Sequence, residues 1–554
     1  MFDILIKDGT VVDGTGTKGI AADVAVKDGK IAAVGKIDGA AKQTIDAKGR
    51  IVAPGFIDPH THFDVQILWD GAARPALEHG VTTIVPGNCS LSLAPLKVAD
   101  RKAVVGMFQQ IEEMPPEAFT DEFAKWTWED FAGYRAAIEP GLSLNVAPLV
   151  GHSLIRLWVM GAASQERAAN QAEIAQMKEL LRESLKAGAV GMSTSYIDMD
   201  EKGRPVPSRF APFSELDQMC EVLGEFGRIL QVVPEFYDAD LTIARVDQLA
   251  ELSLKHNIPT TFSPVFDSPA TPTVAPRILA RVEEQFARGA RVWPQVQTRP
   301  VDISFSFLRP SLYFGRLPTW WRTLKQPLEQ KLAALKTPAT IEALLKEADT
   351  NLMTQAMGAL IIRGGDNAPA GYVGRRLADV AAERGESNPQ ALINISLEND
   401  LDVAFGNMNV GHNAPERIGP MLASKHVHIG ASDGGAHITS FATYGDTGFL
   451  FSDYVRKTGH LTLEQAVKKI TSDTADIWGL KDRGRIAEGL AADIVVFDAD
   501  SIGRGEERPI FDMPGDGMRY TRDATGIDTV IVNGAVAYAN GAYQDAKSGV
   551  VCVD

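Results

Sequence analysis

The 554-residue chain has three cysteines, no basic tract, and no apolar run near the ~18 residues that a membrane helix needs. Each shortage excludes something. Cys89, Cys220 and Cys552 are too few and too scattered for a disulfide framework, and they fit a reducing compartment. With 55 Lys and Arg against 71 Asp and Glu, the net charge of −16 argues against nucleic acid or an anionic membrane as principal partner. The N-terminus, Met1-Phe2-Asp3-Ile4-Leu5-Ile6-Lys7, lacks the basic and then apolar segments of a signal peptide, so a cytoplasmic protein is expected. No internal repeat or low-complexity tract is evident. What is present is ordinary globular material: 45% hydrophobic and 23% charged residues can bury a large core. The length excludes a small binding module and fits several units, or one large barrel with attachments.

Both ends read as β structure. Short apolar runs fill residues 3–53, with Asp-Gly pairs at 8–9, 13–14 and 28–29 where hairpin turns are expected, because glycine accepts positive φ. The same texture returns in Ala492–Asp498 and Thr529–Val536. A small β-sandwich built from residues 1–54 and 480–554 would then enclose residues 55–479 as one inserted domain. Inside it, apolar runs alternate with helical patterns, the sign of parallel strands joined by helices. Strands are expected near Phe56–Asp58, Thr82–Val85, Leu144–Ala147, Ala189–Ser193, Ile229–Val233, Thr260–Phe262, Arg291–Gln295 and Val427–Ala431. Eight such strands make a (β/α)8 TIM-like barrel the leading α/β architecture. Helices are expected at Asn170–Lys186 and at Leu463–Ile470, the latter N-capped by Thr462. Residues 300–418 are too many for one connection, since unstructured loops beyond ~15 residues are uncommon. A mostly helical insertion is expected there, before the last barrel strand and roofing the site, with a helix at Leu328–Leu335 opened by Pro327 and another around Ile341–Leu345.

The strongest chemical signal is Pro54-Gly55-Phe56-Ile57-Asp58-Pro59-His60-Thr61-His62. Side chains two apart on an extended segment share a face, so His60 and His62 at the end of a barrel strand would converge on one cation. Two polar loop residues are the plain alternative.

These residues, the late Ile429-Gly430-Ala431-Ser432-Asp433-Gly434, and the β unit shared by both termini resemble the metal-dependent amidohydrolase superfamily. Within it the chain resembles the N-acyl-D-amino-acid deacylase (D-aminoacylase) group, through His79–Cys89, Gly151-His152-Ser153-Leu154-Ile155-Arg156 and Gly188–Ser195. The resemblance implies zinc bound by His60, His62, Cys89 and Asp433, with Cys89 in place of the carboxylated lysine that many amidohydrolases use. A small buried apolar cysteine is the alternative for Cys89, and a turn aspartate for Asp433. Asp433 would also be the catalytic proton carrier, a task that suits a carboxylate. By the same resemblance Arg156 would grip a substrate carboxylate, as guanidinium groups do bidentately, though a structural ion pair would explain it as well. His152, Tyr196 and His437 are further candidate substrate contacts. His79, His256 and His460 read as solvent contacts.

The chain also departs from the group. Histidines are expected after strands five and six, where this sequence has Leu230–Glu235 and Thr260–Val265 with none. One zinc per chain is therefore expected, a second being doubtful, with Gln231 or Glu235 as an extra oxygen donor or a mere bystander. The implied reaction is hydrolysis of a non-peptide C–N bond in a small, carboxylate-bearing amide, an N-acyl-D-amino acid in the first place. A cyclic amide or imide is the alternative substrate, and a non-catalytic scaffold on the same fold is the rival function. The sequence leaves open whether the chain forms a homo-oligomer.

Overall fold

In the computed structural model, which describes residues 1–269, 271–308, 312–314, 317–350, 356–364 and 368–552, the two ends of the chain meet in one sheet. Strand Ile51–Pro54 pairs parallel with Phe2–Val11 on one side and antiparallel with Ile494–Phe497 on the other. Alternate residues Ile4, Ile6, Val24, Val26, Ile494 and Val496 pack together on one face, the period-two pattern of a half-buried sheet. Asp28-Gly29 makes the expected two-residue hairpin, both residues at positive φ. Asp8-Gly9 does not. It forms a bulge within strand Phe2–Val11, where the pairing register shifts between Ile6 and Gly9 and Asp8 N donates to Asp23 Oδ1 at 3.0 Å.

The barrel strands are parallel neighbours in chain order: Phe56–Asp58, Val81–Ile84, a third strand in two pieces (Asn145–Val146 and Leu149–Gly151), Gly191–Ser195, Ile229–Val233, Thr260–Phe262, Val292–Val296 and His428–Ile429. A parallel bridge between Thr61 and Gly434 links the segments that follow the first and the last strand. Every position of Ile229–Val233 is buried, as a strand covered on both faces requires. Outside lie amphipathic helices such as Gln171–Lys186, which turns Ile174, Met177, Leu181 and Leu185 inward and begins with an Asn170/Glu173 capping box. Thr462 and Gln465 cap helix Leu463–Ile470 in the same way.

The insertion between the seventh and eighth strands is less helical than expected. Among the described residues, helices including Leu328–Leu335 behind Pro327 and Pro338–Thr350 accompany a three-stranded antiparallel sheet of Val301–Phe305, Ala404–Gly411 and Ile361–Gly364. Its aromatic centre of Phe305, Phe307, Phe314, Trp320 and Phe405 is an apolar core separate from that of the barrel. Strand-forming Val301-Asp302-Ile303-Ser304-Phe305 alternates at period two, a signal that the nearby helical patterns outweigh. The insertion meets the loop after the eighth strand, Ser304 N donating to Ser440 O at 2.6 Å. Among the described residues, no helix is long and apolar enough to cross a membrane.

Candidate metal centre

His60 and His62 follow the first barrel strand on a segment tied to the loop after the eighth. His62 N donates to Gly434 O at 2.7 Å, and Asp433 N donates to His60 O at 3.2 Å. Asp58 ties the same two segments, accepting from His60 N and, at 2.7 Å, from the Ser432 hydroxyl. Gly435 permits the close approach: its φ is +91°, and a Cβ there would stand 3.0 Å from the His62 carbonyl carbon. Cys89 arrives after the second strand and the Gly87 turn. Cys89, Asp433 and His437 hold φ of +55°, +57° and +50°, a region costly for residues with a Cβ and concentrated at functional sites.

Four side chains converge. Cys89 Sγ lies 3.5 Å from His60 Nε2 and 3.6 Å from His62 Nε2. Asp433 Oδ1 is 3.1 Å and 3.8 Å from the same two nitrogens. The donor atoms of His60, His62 and Cys89 all lie within 4.8 Å of one another. Around a tetrahedral zinc ion, with bonds of about 2.0–2.1 Å to nitrogen and about 2.3 Å to sulfur, an N···S edge is about 3.5–3.6 Å. Both measured N···S separations match it, so the donor set fits zinc in spacing as well as in chemistry.

The imidazoles are held from behind. His60 Nδ1 is 3.2 Å from Gln295 Oε1 and 3.0 Å from Ser263 Oγ. Gln295 Oε1 also accepts from Ala431 N at 3.0 Å, so it acts as an acceptor and draws the His60 proton to Nδ1, leaving the Nε2 lone pair facing Cys89 and Asp433. His62 Nδ1 lies 3.1 Å from Glu112 Oε1.

Electrostatics agree with a cation at this point. Burial pushes the Cys89 thiol well above its usual range, and the nearby Asp198, Glu112 and Asp433 charges push the same way, so a thiolate needs a cation beside it. Burial lowers His62 to about 4, keeping it neutral as a ligand must be. Burial alone would raise Asp433, yet its contacts with His60 and His62 outweigh that and hold the carboxyl well below the usual carboxylate range. Burial also raises Asp198, to about 6, and its Oδ2 has no hydrogen-bond partner among the described residues.

The remaining sequence candidates divide. His437 is half-buried beside Phe441, and its buried Nδ1 has no hydrogen-bond partner among the described residues. Tyr196 is half-buried, its ring stacked under the Arg245 guanidinium at 3.6 Å. Glu235 pairs with that Arg245 at 2.9 Å and is not part of the metal cluster. Gln231, fully buried, donates to Ser263 Oγ at 3.2 Å. Gln231 and Ser263 thus form a hydrogen-bonded prop for His60.

For Arg156 the structure favours the ion-pair alternative, and His152 shares the same carboxylate. Arg156 is fully buried, its Nη1 donates to both carboxylate oxygens of Glu215, and its Nη2 donates to Arg167 O at 2.8 Å. His152 Nε2 is 3.0 Å from Glu215 Oε1, and its Nδ1 is 3.1 Å from Thr194 Oγ1. Burial alone would raise Glu215, but His152 and Arg156 overcome it and hold the carboxyl at about 2. Both candidates are therefore engaged in an internal ion cluster rather than free for a substrate. His79 departs from expectation too, being buried with Nε2 2.9 Å from Arg522 O.

Sequence reasoning missed Glu112, Gln295, Ser263 and Asp58. Only Asp58, inside the Pro-Gly to His-x-His block, carried a local signal.

Comparison with known proteins gives consistent results. The sequence model of the amidohydrolase family matches residues 43–219 and 328–538. D-aminoacylase of Alcaligenes xylosoxydans xylosoxydans is 30% identical over 555 residues, covering 99% of this chain and 97% of that protein. A solved D-aminoacylase, described as having a binuclear metal centre with one-metal activation and second-metal attenuation, superposes with a TM-score of 0.69 at 27% identity, over 99% of both chains. N-acyl-D-glutamate deacylase of Bordetella bronchiseptica, solved with zinc and a phosphonate that mimics the tetrahedral intermediate, gives 0.68 at 25% identity, over 99% of this chain and 98% of that one.

Proposed function

Because the chain belongs to the amidohydrolase family, we propose that it is a metal-dependent hydrolase that removes the acyl group from N-acyl-D-amino acids. The convergence of His60, His62 and Cys89 with Asp433, at the ends of strands one, two and eight where barrel active sites lie, is the observation that carries this reading. The D-aminoacylase and N-acyl-D-glutamate deacylase relatives support the substrate class.

One zinc-type ion would be held by His60, His62, Cys89 and Asp433. When bound, such an ion supplies Lewis acidity and lowers the pKa of the attacking water. Asp433 accepts the proton of that water and returns it to the leaving nitrogen as the C–N bond breaks. His437, whose buried Nδ1 has no partner among the described residues, and Tyr196 are the side chains that orient the acylated substrate. No histidine follows strands five and six, and Gln231 and Ser263 in that region bond to each other, with Ser263 also bonding His60, which supports a single ion. A cytoplasmic location is the reading that the sparse cysteines favour.

The test is a panel of N-acyl-D-amino acids, their L enantiomers and a cyclic amide such as a hydantoin, offered to the zinc-loaded protein. Release of free D-amino acid at least tenfold faster than of L is expected. Turnover of the cyclic amide alone would overturn the assignment.

A further inference from the structure

Glu112 stands where a carboxylate is expensive. It caps the C-terminus of helix Arg101–Ile111, its N–H bonded to Phe108 O, and that helix end already carries partial negative charge. It is also 1% exposed, and an isolated buried carboxylate is strongly disfavoured. Its Oε1 lies 3.1 Å from His62 Nδ1, a close contact without hydrogen-bond geometry, and neither atom has a hydrogen-bonding partner among the described residues. The next residue, Glu113, holds φ +59° and takes hydrogen bonds from Thr439 N at 3.1 Å and from the Thr439 and Ser440 hydroxyls at 2.6 Å. That turn ties the helix end to the loop that carries Asp433 and keeps the Glu112 backbone beside His62.

We infer that Glu112 is a positioning residue: packed against His62 Nδ1, it holds the His62 ring from behind, so aims Nε2 at the metal centre and sets the affinity for the ion. A carboxylate behind a ligating imidazole raises the basicity of the opposite nitrogen and fixes the ring, and removing such a partner typically costs 10–100-fold in metal affinity. The inference rests on the metal-site reading above.

The experiment uses the full chain as wild type, Glu112→Gln and Glu112→Ala. Zinc affinity is measured by competition with a chromogenic chelator, and thermal unfolding is followed on the zinc-free proteins. Both variants should bind zinc about 10–100-fold more weakly, the Ala variant at the larger end, with zinc-free midpoints equal to or above wild type. Wild type that binds zinc alongside variants within threefold of it overturns the role of Glu112 and leaves the metal site standing. Weakened zinc binding with a matching fall in both zinc-free midpoints makes Glu112 a structural residue and also overturns it. A wild type that binds no zinc overturns the metal site and this inference together.

Discussion

Replacing Arg156 by Met would remove the guanidinium that binds both oxygens of Glu215, in a place where neither side chain touches solvent. Glu215 would keep His152 Nε2 at 3.0 Å, its one other ion-pair contact among the described residues, and the carbonyl of Arg167 would lose its donor. Breaking a buried ion pair by deleting one partner costs about 3–5 kcal/mol, because the other charge stays buried and uncompensated. Deleting both charges is far milder, so Arg156→Met/Glu215→Leu should recover at least half of that loss. Urea midpoints of the two variants and of wild type test this. The acid limb gives a second check. Folded Glu215 sits at about 2 against an ordinary 4.5, so its depressed pKa contributes stability that is complete above about pH 4.5 and lost as pH falls toward 2. The gap between wild type and Arg156→Met should close over that window. An Arg156→Met protein with a wild-type midpoint, defective only in KM for carboxylate-bearing substrates, would refute the ion-cluster account and return Arg156 to the substrate.

Other outcomes follow from the metal cluster. Cys89→Ala should lose metal and activity together, as seen by elemental analysis and a deacylation assay, whereas a merely packed cysteine would lose only roughly 1–2 kcal/mol and keep its ion. Asp433→Asn keeps the shape but cannot take the proton, so kcat should fall at least ~10²-fold, and wild-type turnover would refute the proton role. His437→Ala should mainly raise KM if its free Nδ1 orients substrate, and an unchanged KM would remove it from the site.

The barrel was legible because its strands announce themselves locally. Ile229–Val233 and Thr260–Phe262 are short apolar or β-branched runs bounded by glycine, proline or helix ends, and they occupy the residues expected. Helix Leu463–Ile470 was bounded by Thr462, whose cap needs only its own neighbours. The His60/His62 pair was visible because two-residue spacing is itself the geometry. Partners brought by the fold were not. Glu215 lies 59 residues from Arg156, and nothing near Arg156 marks it as half of a buried pair. Glu112 looks like one more acid in an acidic turn, and only the packing of its helix end reveals the imidazole it faces. Asp8-Gly9 had the hairpin signature and made a bulge, because the strand runs on through Thr10 and Val11 to pair with Ile51 and Val52. The insertion's sheet was hidden by stronger helical periodicity on either side.

Metal content per chain, measured on protein purified without chelator and again after dialysis against one, tests the central claim most directly. His60, His62, Cys89 and Asp433 as the ligand set predict one zinc-type ion per chain, with deacylation lost on its removal and regained on its return. Two tightly held ions, or a metal-free protein that still releases free amino acid, would contradict it.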